Sequence, residues 1–408
     1  MKILEINKFN HVRGGADKHF VDLVKLLQSN GDEVAVFAMS HPKNLHSDFS
    51  EYFVSRVEYN QPTNVFQKMK AIGRIFWSPE ARRKIAKLLD EFKPDVVHIH
   101  NIYHQISPSI LPEIKKRNIP IVMTVHDWKL ICPNYLLNCL EPYCEKCVKG
   151  NYWHCLKNKC VKKSFAKSLI CVLELYFHRA LKIYDKNIDL YIAPSQFVKN
   201  VLAQAGFDER KIRVLPHFTE MSLRAERSNP VQSETNGIAT AASRLRNDGY
   251  NYALYFGRVS KEKNVDELIG VFKDLPIRLV LAGNKDNDFE ISNYPNIKYV
   301  GFKNTPELEK LIQNSSFVVS ASRLPETFGL VALEALKNGK PFFGYDTGAY
   351  REIVENSVNG YLVKSQREFR DKISECVSGR IPKFEFEAEK FSPEQYCREV
   401  VDIFSSLC

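Results

Sequence analysis

Short apolar runs alternate with amphipathic stretches over most of the chain, and the alternation comes in two blocks. In the first block, KILEI (2–6) and EVAVFAM (33–39) read as strands, while Ala16–Ser29 carries apolar residues at helical spacing and stops at Asn30-Gly31. Ser78-Pro79-Glu80 supplies a cap, a first-turn proline and an acid in order, which predicts a helix reaching Phe92. Three further buried strands are expected at DVVHIHN (95–101), IPIVMTVHD (119–127) and DLYIAPS (189–195). Strands separated by helices imply parallel pairing and a doubly wound sheet.

After IRVLPHF (212–218) the texture changes. Residues 224–250 are polar, short in aromatics and aperiodic, which predicts a linker or loop. The alternation then restarts with YALYFG (252–257), a helix from Val265, IRLVLAG (277–283), IKYVGF (297–302), a helix opened by Thr305-Pro306-Glu307, SSFVVSAS (315–322), a helix after Thr327, and KPFFGYD (340–346). A last helix opens at Ser392-Pro393-Glu394. The expected fold class is α/β, with two doubly wound Rossmann-like domains facing each other across a cleft. The expected division is 1–216 for the first domain, 217–250 for the linker, 251–390 for the second domain and 391–408 for a C-terminal helix returning to the first. Ligands of such folds bind outside the carboxyl ends of the strands.

Composition narrows the class. Of the 408 residues, 44% are hydrophobic and 26% charged, which suits a globular protein. No signal peptide and no run of about 18 uncharged apolar residues is visible, so a cytoplasmic location is expected. The net charge of +10 is uneven: Pro142–Lys186 holds ten Lys or Arg against three Asp or Glu. Such a patch fits a polyanion, an anionic membrane surface, or simply a solvated lysine-rich face.

The stretch RLPETFGLVALEALKNGKP (323–341) carries the chemistry. Glu334 is the one charged residue from Thr327 to Leu336, and an unpaired carboxylate in so apolar a helix is costly. Glu326 lies eight positions earlier, in the loop before the helix. At about 1.5 Å per residue the two are roughly 10 Å or more apart, too far to flank one glycosidic bond and suited to one elongated ligand. Between them a helix N-terminus with Gly329 offers backbone N–H groups that suit a phosphate. The pattern fits a ligand with a hydroxyl-rich end, a phosphate middle and a second diol. A structural alternative is that Glu334 caps or pairs with a buried lysine.

PETFGLVALEAL (325–336) resembles the E-x7-E signature of retaining glycosyltransferases of the GT-B fold, family 4. The similarity extends to RGGADKHFVDLVKLLQSNGDEVAV (13–36), DVVHIHN, VMTVHDW (122–128), YFGRVSKEKN (255–264) and FGYDTGAYREIVENSVNGYLV (343–363). The resemblance implies a metal-independent hexosyltransferase that moves a sugar from a nucleotide diphosphate sugar to a glycan or lipid-linked acceptor, in bacterial cell-surface polysaccharide or glycolipid synthesis. It implies that Glu326 binds donor-sugar hydroxyls, that Phe328, Gly329 and Leu330 offer backbone N–H groups to sugar and diphosphate, and that Glu334 accepts from both ribose hydroxyls. Arg258 and Lys263 would neutralise the diphosphate. Gly14 and Gly15 would let the backbone approach phosphates or acceptor, in a conformation and closeness that glycine permits. His126 would lie near the reacting carbon and donate a hydrogen bond to the sugar, whereas His98 and His100 read as sheet residues. Departures from the family pattern are LAGNKDND (281–288), which keeps only Gly283, PHF (216–218) in place of PNG, and Thr347-Gly348-Ala349 in place of TGG.

Six of ten cysteines fall within an insertion at 132–160. Cys144, Cys147, Cys155 and Cys160 form two close pairs, a set that fits a closed structural zinc site, with reduced thiols or disulfides as alternatives. The following segment, from about Phe165 to Tyr184, has a broad apolar face edged by Lys167, Arg179 and Lys182. It reads either as a core-packed helix or as peripheral contact with an anionic membrane, on the inner face of the plasma membrane. Three other readings remain open at this level: a non-catalytic nucleotide-sugar sensor, a GT-B nucleotide-sugar isomerase, and a zinc-stabilised nucleic-acid-binding protein. The last leaves the two glutamates and the phosphate loop without a role.

Overall fold

The computed structural model of the chain describes residues 1–57, 65–139, 143–219, 252–380, 382 and 384–408. From residue 220 on, the expected linker lies outside the described residues. The chain forms two compact units, Met1–Phe218 with Phe391–Cys408, and Thr219–Lys390.

In the first unit the strands are β1 (Lys2–Ile6), β2 (Glu33–Phe37), β3 (Val96–Ile99), β4 (Ile121–Thr124), β5 (Leu190–Ala193) and β6 (Ile212–Val214). They form a six-stranded sheet in the order β2-β1-β3-β4-β5-β6, with every pairing parallel. A parallel sheet is covered on both faces, so its strands bury both sets of side chains. Ile3, Val96, Val122 and Ile192 pack against Leu23 and Leu27 of helix α1 (Gly15–Ser29) and against Tyr396, Val400 and Phe404 of the C-terminal helix, Pro393–Ser405. Leu4, Val97, Ile99 and Met123 face the other way, onto Ile85, Leu88 and Leu89 of the Pro79–Phe92 helix. Ser78 caps that helix by accepting from the Ala81 N–H at 3.2 Å. The C-terminal helix, capped by Ser392, returns to the first unit as expected.

The second unit contains β7 (Tyr252–Phe256), β8 (Arg278–Ala282), β9 (Ile297–Gly301), β10 (Phe317–Val319), β11 (Phe342–Tyr345) and β12 (Gly360–Val363). Its sheet is parallel throughout, in the order β12-β11-β10-β7-β8-β9. Leu279, Leu281, Phe317, Val319 and Phe343 meet Val265, Leu268 and Phe272 of one helix and Phe369 and Ile373 of another. Both sheets are doubly wound, the expected α/β class. Their strand order reverses between β1 and β3 and between β7 and β10, the crevices where such sheets bind ligands.

The segment expected as one helix to Tyr184 breaks earlier. The helix spans Phe165–Ala180, Lys182 takes the left-handed conformation at φ 49°, and a short turn Ile183–Asn187 follows. Among the described residues no helix is long and apolar enough to cross a membrane.

Phe404 is fully buried between the C-terminal helix and the first sheet. Phe404→Ala is expected to cost about 3–5 kcal/mol of stability, read as a lower denaturant midpoint. An unchanged midpoint would show that this helix contributes nothing to the first core.

Candidate active site

The second unit assembles its candidate residues at the switch point between β7 and β10. The chain leaving β7 reaches Ser260, whose hydroxyl accepts from the Lys263 N–H and caps a short 3-10 turn, Lys261–Lys263. The chain leaving β10 runs through Ser322 to Glu326. There the Lys263 Nζ meets Glu326 Oε1 at 2.6 Å, and the Ser322 hydroxyl donates to the same oxygen at 3.1 Å. Both side chains of the ion pair are about a quarter exposed, 26% and 23%, so the pair stays open to solvent. Arg258, expected to share an anion with Lys263, instead pairs with Glu262.

Two ties that the sequence reading did not find hold these loops together. The Asn264 side-chain amide donates to the Ala321 carbonyl at 3.2 Å. Arg323 donates to Glu267 at 2.9 Å and lies 3.8 Å from the centroid of the Tyr345 ring, whose hydroxyl bonds the same carboxylate. Glycine is required at two places beside Glu326. Gly329, at φ 102°, would drive a Cβ to 2.6 Å from the Tyr350 ring, and Gly348, at φ 59°, would drive one to 2.4 Å from the Glu326 backbone. The helix Leu330–Lys337 then begins at Gly329, with Phe328 buried before it. Glu334 lies in the body of this helix and is only 4% exposed, while the following turn places Lys337 Nζ on the Thr219 carbonyl at 2.8 Å.

In the first unit, Gly14 caps α1 and Gly15 is its first residue. The expectation that these glycines hold a conformation special to glycine is not met. Gly14 is extended, at φ −161°, Gly15 is not among the positive-φ residues, and a Cβ on Gly14 would meet no atom within 4 Å. What remains for Gly14 is the open space beside its backbone.

His126 follows β4 and heads a chain of buried polar groups that crosses three strands. Its Nε2 lies 2.7 Å from His100 Nδ1, His100 Nε2 lies 2.9 Å from Glu5 Oε2, Glu5 Oε1 lies 2.9 Å from His98 Nδ1, and His98 Nε2 lies 2.8 Å from the Thr124 hydroxyl. Glu5, His98 and His100 are 0% exposed. Of the two sheet residues in the sequence reading, His100 is thus joined directly to His126, and His98 is joined to His100 through the Glu5 side chain of β1. His19 of α1 lies against His217, ring centroids 3.9 Å apart and tilted by 31°, and His217 stands 5.0 Å from His126. Burial opposes ionisation of Glu5, but the His98 charge and the hydrogen bonds from both imidazoles win and hold its carboxyl at about 2. Burial, with the neighbouring His98 charge, lowers His100 to about 4, and burial with the His100 and His217 charges takes His126 well below the ordinary histidine value.

Three groups of side chains have the residue types of a metal site. Cys144, Cys147, Cys155 and Cys160 do not converge: no three of them bring their sulfurs within 4.8 Å of one another. Cys147 and Cys155 turn into an apolar cluster with Tyr152, Val172 and Leu175, and Cys160, packed against that cluster, meets both Cys155 and, Sγ to Sγ at 2.8 Å, Cys139. Burial pushes the Cys147 thiol up to about 12. Glu5, His98 and His100 are close enough to share an ion, and each carboxylate oxygen already has an imidazole nitrogen at 2.9 Å. His104, Cys171 and Glu174 are also close, and there the Lys129 ammonium supplies the positive charge at 2.7 Å from Glu174.

Comparison with known proteins places this architecture. The family model described as Glycosyltransferase Family 4 matches residues 13–222, more than half of the chain. The chain belongs to glycosyltransferase family 4. The model described as Glycosyl transferases group 1 matches residues 239–390, so the two models together cover both units of this family 4 glycosyltransferase. The chain is similar to glycosyltransferase MJ1178 of Methanocaldococcus jannaschii, 32% identical over 143 residues, a match spanning 33% of this chain and 40% of that protein. It is 23% identical over 384 residues to a 42.6 kDa protein in the cps region of Klebsiella pneumoniae, covering 89% of this chain and 90% of that protein. Among solved structures, Anabaena Alr3699/HepE in complex with UDP and glucose shares the fold, with a TM-score of 0.62, 18% identity and 100% coverage of both chains.

The buried histidines predict acid lability. With a folded pKa of about 4 against 6.5 for the free side chain, His100 stays neutral in the fold while the unfolded chain takes up a proton. The unfolded state therefore binds more protons between these values, and stability falls as pH drops from 6.5 towards 4, by on the order of 3 kcal/mol for this group. Denaturant unfolding between pH 7.5 and 4.5 should show the loss beginning near pH 6.5. A profile flat down to pH 5 would overturn it.

Proposed function

We propose that this family 4 glycosyltransferase transfers a hexose from a nucleoside diphosphate sugar to a glycan or lipid-linked acceptor, with retention of anomeric configuration. The observation that carries the reading is the partly exposed Lys263–Glu326 pair beside the start of the Leu330–Lys337 helix. A diphosphate is a better partner for Lys263 than one carboxylate, and its arrival would release Glu326 oxygens to accept from sugar hydroxyls. Arg258 adds a second cation on the same loop, and the backbone N–H groups of Phe328, Gly329 and Leu330 supply further donors where negative charge develops. Glu334 holds the two ribose hydroxyls, which accounts for a carboxylate in an otherwise apolar helix. The leaving phosphate, neutralised by Arg258 and Lys263, takes the proton of the incoming hydroxyl, so two fixed cations serve where a divalent ion serves in other transferases. In the first unit, Gly14 and Gly15 leave room for phosphate or acceptor, and His126 hydrogen-bonds a hydroxyl of the sugar at the reacting end.

The UDP and glucose bound by Alr3699/HepE support a nucleoside diphosphate sugar as donor, and the Klebsiella relative in a cps region supports cell-surface polysaccharide synthesis as the setting. The sensor and isomerase readings share the donor site and differ in turnover: a sensor has none, and an isomerase needs no acceptor.

Glu334→Ala should weaken UDP or GDP binding about 10- to 100-fold even without a sugar, since hydrogen bonds to a charged group contribute about 1.5–3 kcal/mol. Titration calorimetry with each nucleotide reads this directly. Wild-type affinity for both would remove Glu334 from the ribose site.

For a lipid-linked acceptor the Phe165–Ala180 helix is the contact. Phe165, Leu173 and Phe177 are exposed, and Leu181 continues their every-fourth-residue stripe. Lys162, Lys163 and Lys167 beside it complement anionic headgroups. Sedimentation with vesicles containing anionic phosphatidylglycerol should pull down the protein in a salt-sensitive manner, and Leu173→Ser with Phe177→Ser should reduce the bound fraction several-fold. Equal binding by the double variant would exclude this face.

A further inference from the structure

The hydrogen-bond chain behind His126 has a direction, and the direction determines what His126 can offer a substrate. Glu5 is the fixed end. It is a carboxylate with no exposed surface, set at the β1/β3 switch point opposite His98 in the strand register. Each of its oxygens has one imidazole nitrogen at 2.9 Å. An ionised carboxylate only accepts, so His98 Nδ1 and His100 Nε2 must both carry protons. A neutral His100 that is protonated on Nε2 has a bare Nδ1, which can only accept. The nitrogen facing that lone pair at 2.7 Å is His126 Nε2, which therefore carries the proton. The direction is unaffected by the charge of His98, whose second nitrogen faces the Thr124 hydroxyl, a group able to donate or accept.

We infer that Glu5 and His100 are positioning residues that lock His126 in the Nε2-protonated tautomer, so that its Nδ1 acts as a hydrogen-bond acceptor and takes a bond from a hydroxyl of the donor sugar. The inference rests on the proposed role of His126 at the sugar, and it reverses the direction expected from sequence, in which His126 donates. Burial of His100 and His126 opposes the imidazolium form in which both nitrogens would donate. Second-neighbour carboxylates commonly fix a working imidazole in this way, by bonding the nitrogen turned away from the reaction. Here the carboxylate acts one imidazole further back, through His100. The consequence is selectivity for sugars that present a hydroxyl to this position over those presenting a carbonyl, carboxylate or ether oxygen, which cannot donate.

The test has two readouts. The first needs no substrate: nitrogen-15 NMR of the full-length protein with labelled histidines at pH 7.5, the His126 signals being those absent from His126→Asn. Neutral His126 protonated on Nε2 is the expected result, and Nδ1 protonation or an imidazolium would overturn the inference. The second uses Glu5→Gln, whose amide can donate to His100 and so reverse the chain. This variant should move His126 towards the Nδ1-protonated form and lower kcat about 10- to 100-fold with little change in donor KM. Turnover is followed by nucleotide release from UDP-glucose, UDP-N-acetylglucosamine and GDP-mannose, and circular dichroism checks that the variant folds. Wild-type kcat in a folded Glu5→Gln, with His126→Asn impaired, would overturn the positioning role. Wild-type kcat in His126→Asn would overturn the role of His126 at the sugar, which the NMR measurement does not touch.

Discussion

Every strand in each sheet runs parallel to its neighbours, and this constraint organises everything else in the molecule. Parallel strands deliver all their exit loops to one edge of the sheet, and at a switch point two such loops diverge and leave a crevice. Lys263 and Glu326 are 63 residues apart in sequence but leave neighbouring strands, β7 and β10, at the same edge. Glu5, His100 and His126 come from β1, from the end of β3 and from the end of β4 in the same way. Loops of this kind are precise only when tied down. Asn264 on Ala321 and Arg323 on Glu267 tie the loops of the second unit, while the first unit relies on side chains that rise from the strands themselves.

The two units solve the cost of a carboxylate differently. Glu326 is partly exposed and paired with a lysine at the surface of its unit, an arrangement in which solvent screening keeps the interaction modest and exchangeable. Glu5 is sealed in the sheet, where exchange is not available and a lost partner would leave an uncompensated charge. The first arrangement suits a group that changes partner when a ligand arrives. The second suits a group that never meets the ligand and acts only by holding others.

Legibility in the sequence followed the range over which each signal acts. The strand and helix pattern is local, and the parallel sheets follow from it. Glu334 stood out because it breaks a local apolar pattern and Glu326 because it punctuates the loop before that helix, whereas Lys263 came only through the family resemblance. Glu5, His98 and His100 did not, because a polar residue alternating with Val or Ile looks like the outward face of a half-exposed strand. That face is buried here by α1 and by the C-terminal helix, which lies some three hundred residues away and leaves no mark on KILEI or DVVHIHN. The cysteines show the opposite case. Their spacing is a local signal, but the helix that covers Cys147 and Cys155 decides where the sulfurs point. Gly14 shows a third limit, since an extended glycine with open space around it owes nothing to the backbone conformation that the sequence reading invoked.

The placement of polar atoms within the first sheet bears on why they persist. On the face beneath α1 and the C-terminal helix, the amino-terminal positions are apolar: Ile3, Val96 and Val122. Two and four residues later the same face carries Glu5, His98, His100, Thr124 and His126. Replacing a buried polar cluster with packed apolar side chains is often neutral or stabilising, so stability alone gives no reason for polarity to rise towards one end of the strands. That end is where the exit loops of a doubly wound sheet place chemistry. The ladder is therefore best understood as rigid support for the residue at its head, maintained at the expense of acid stability in the core that contains it.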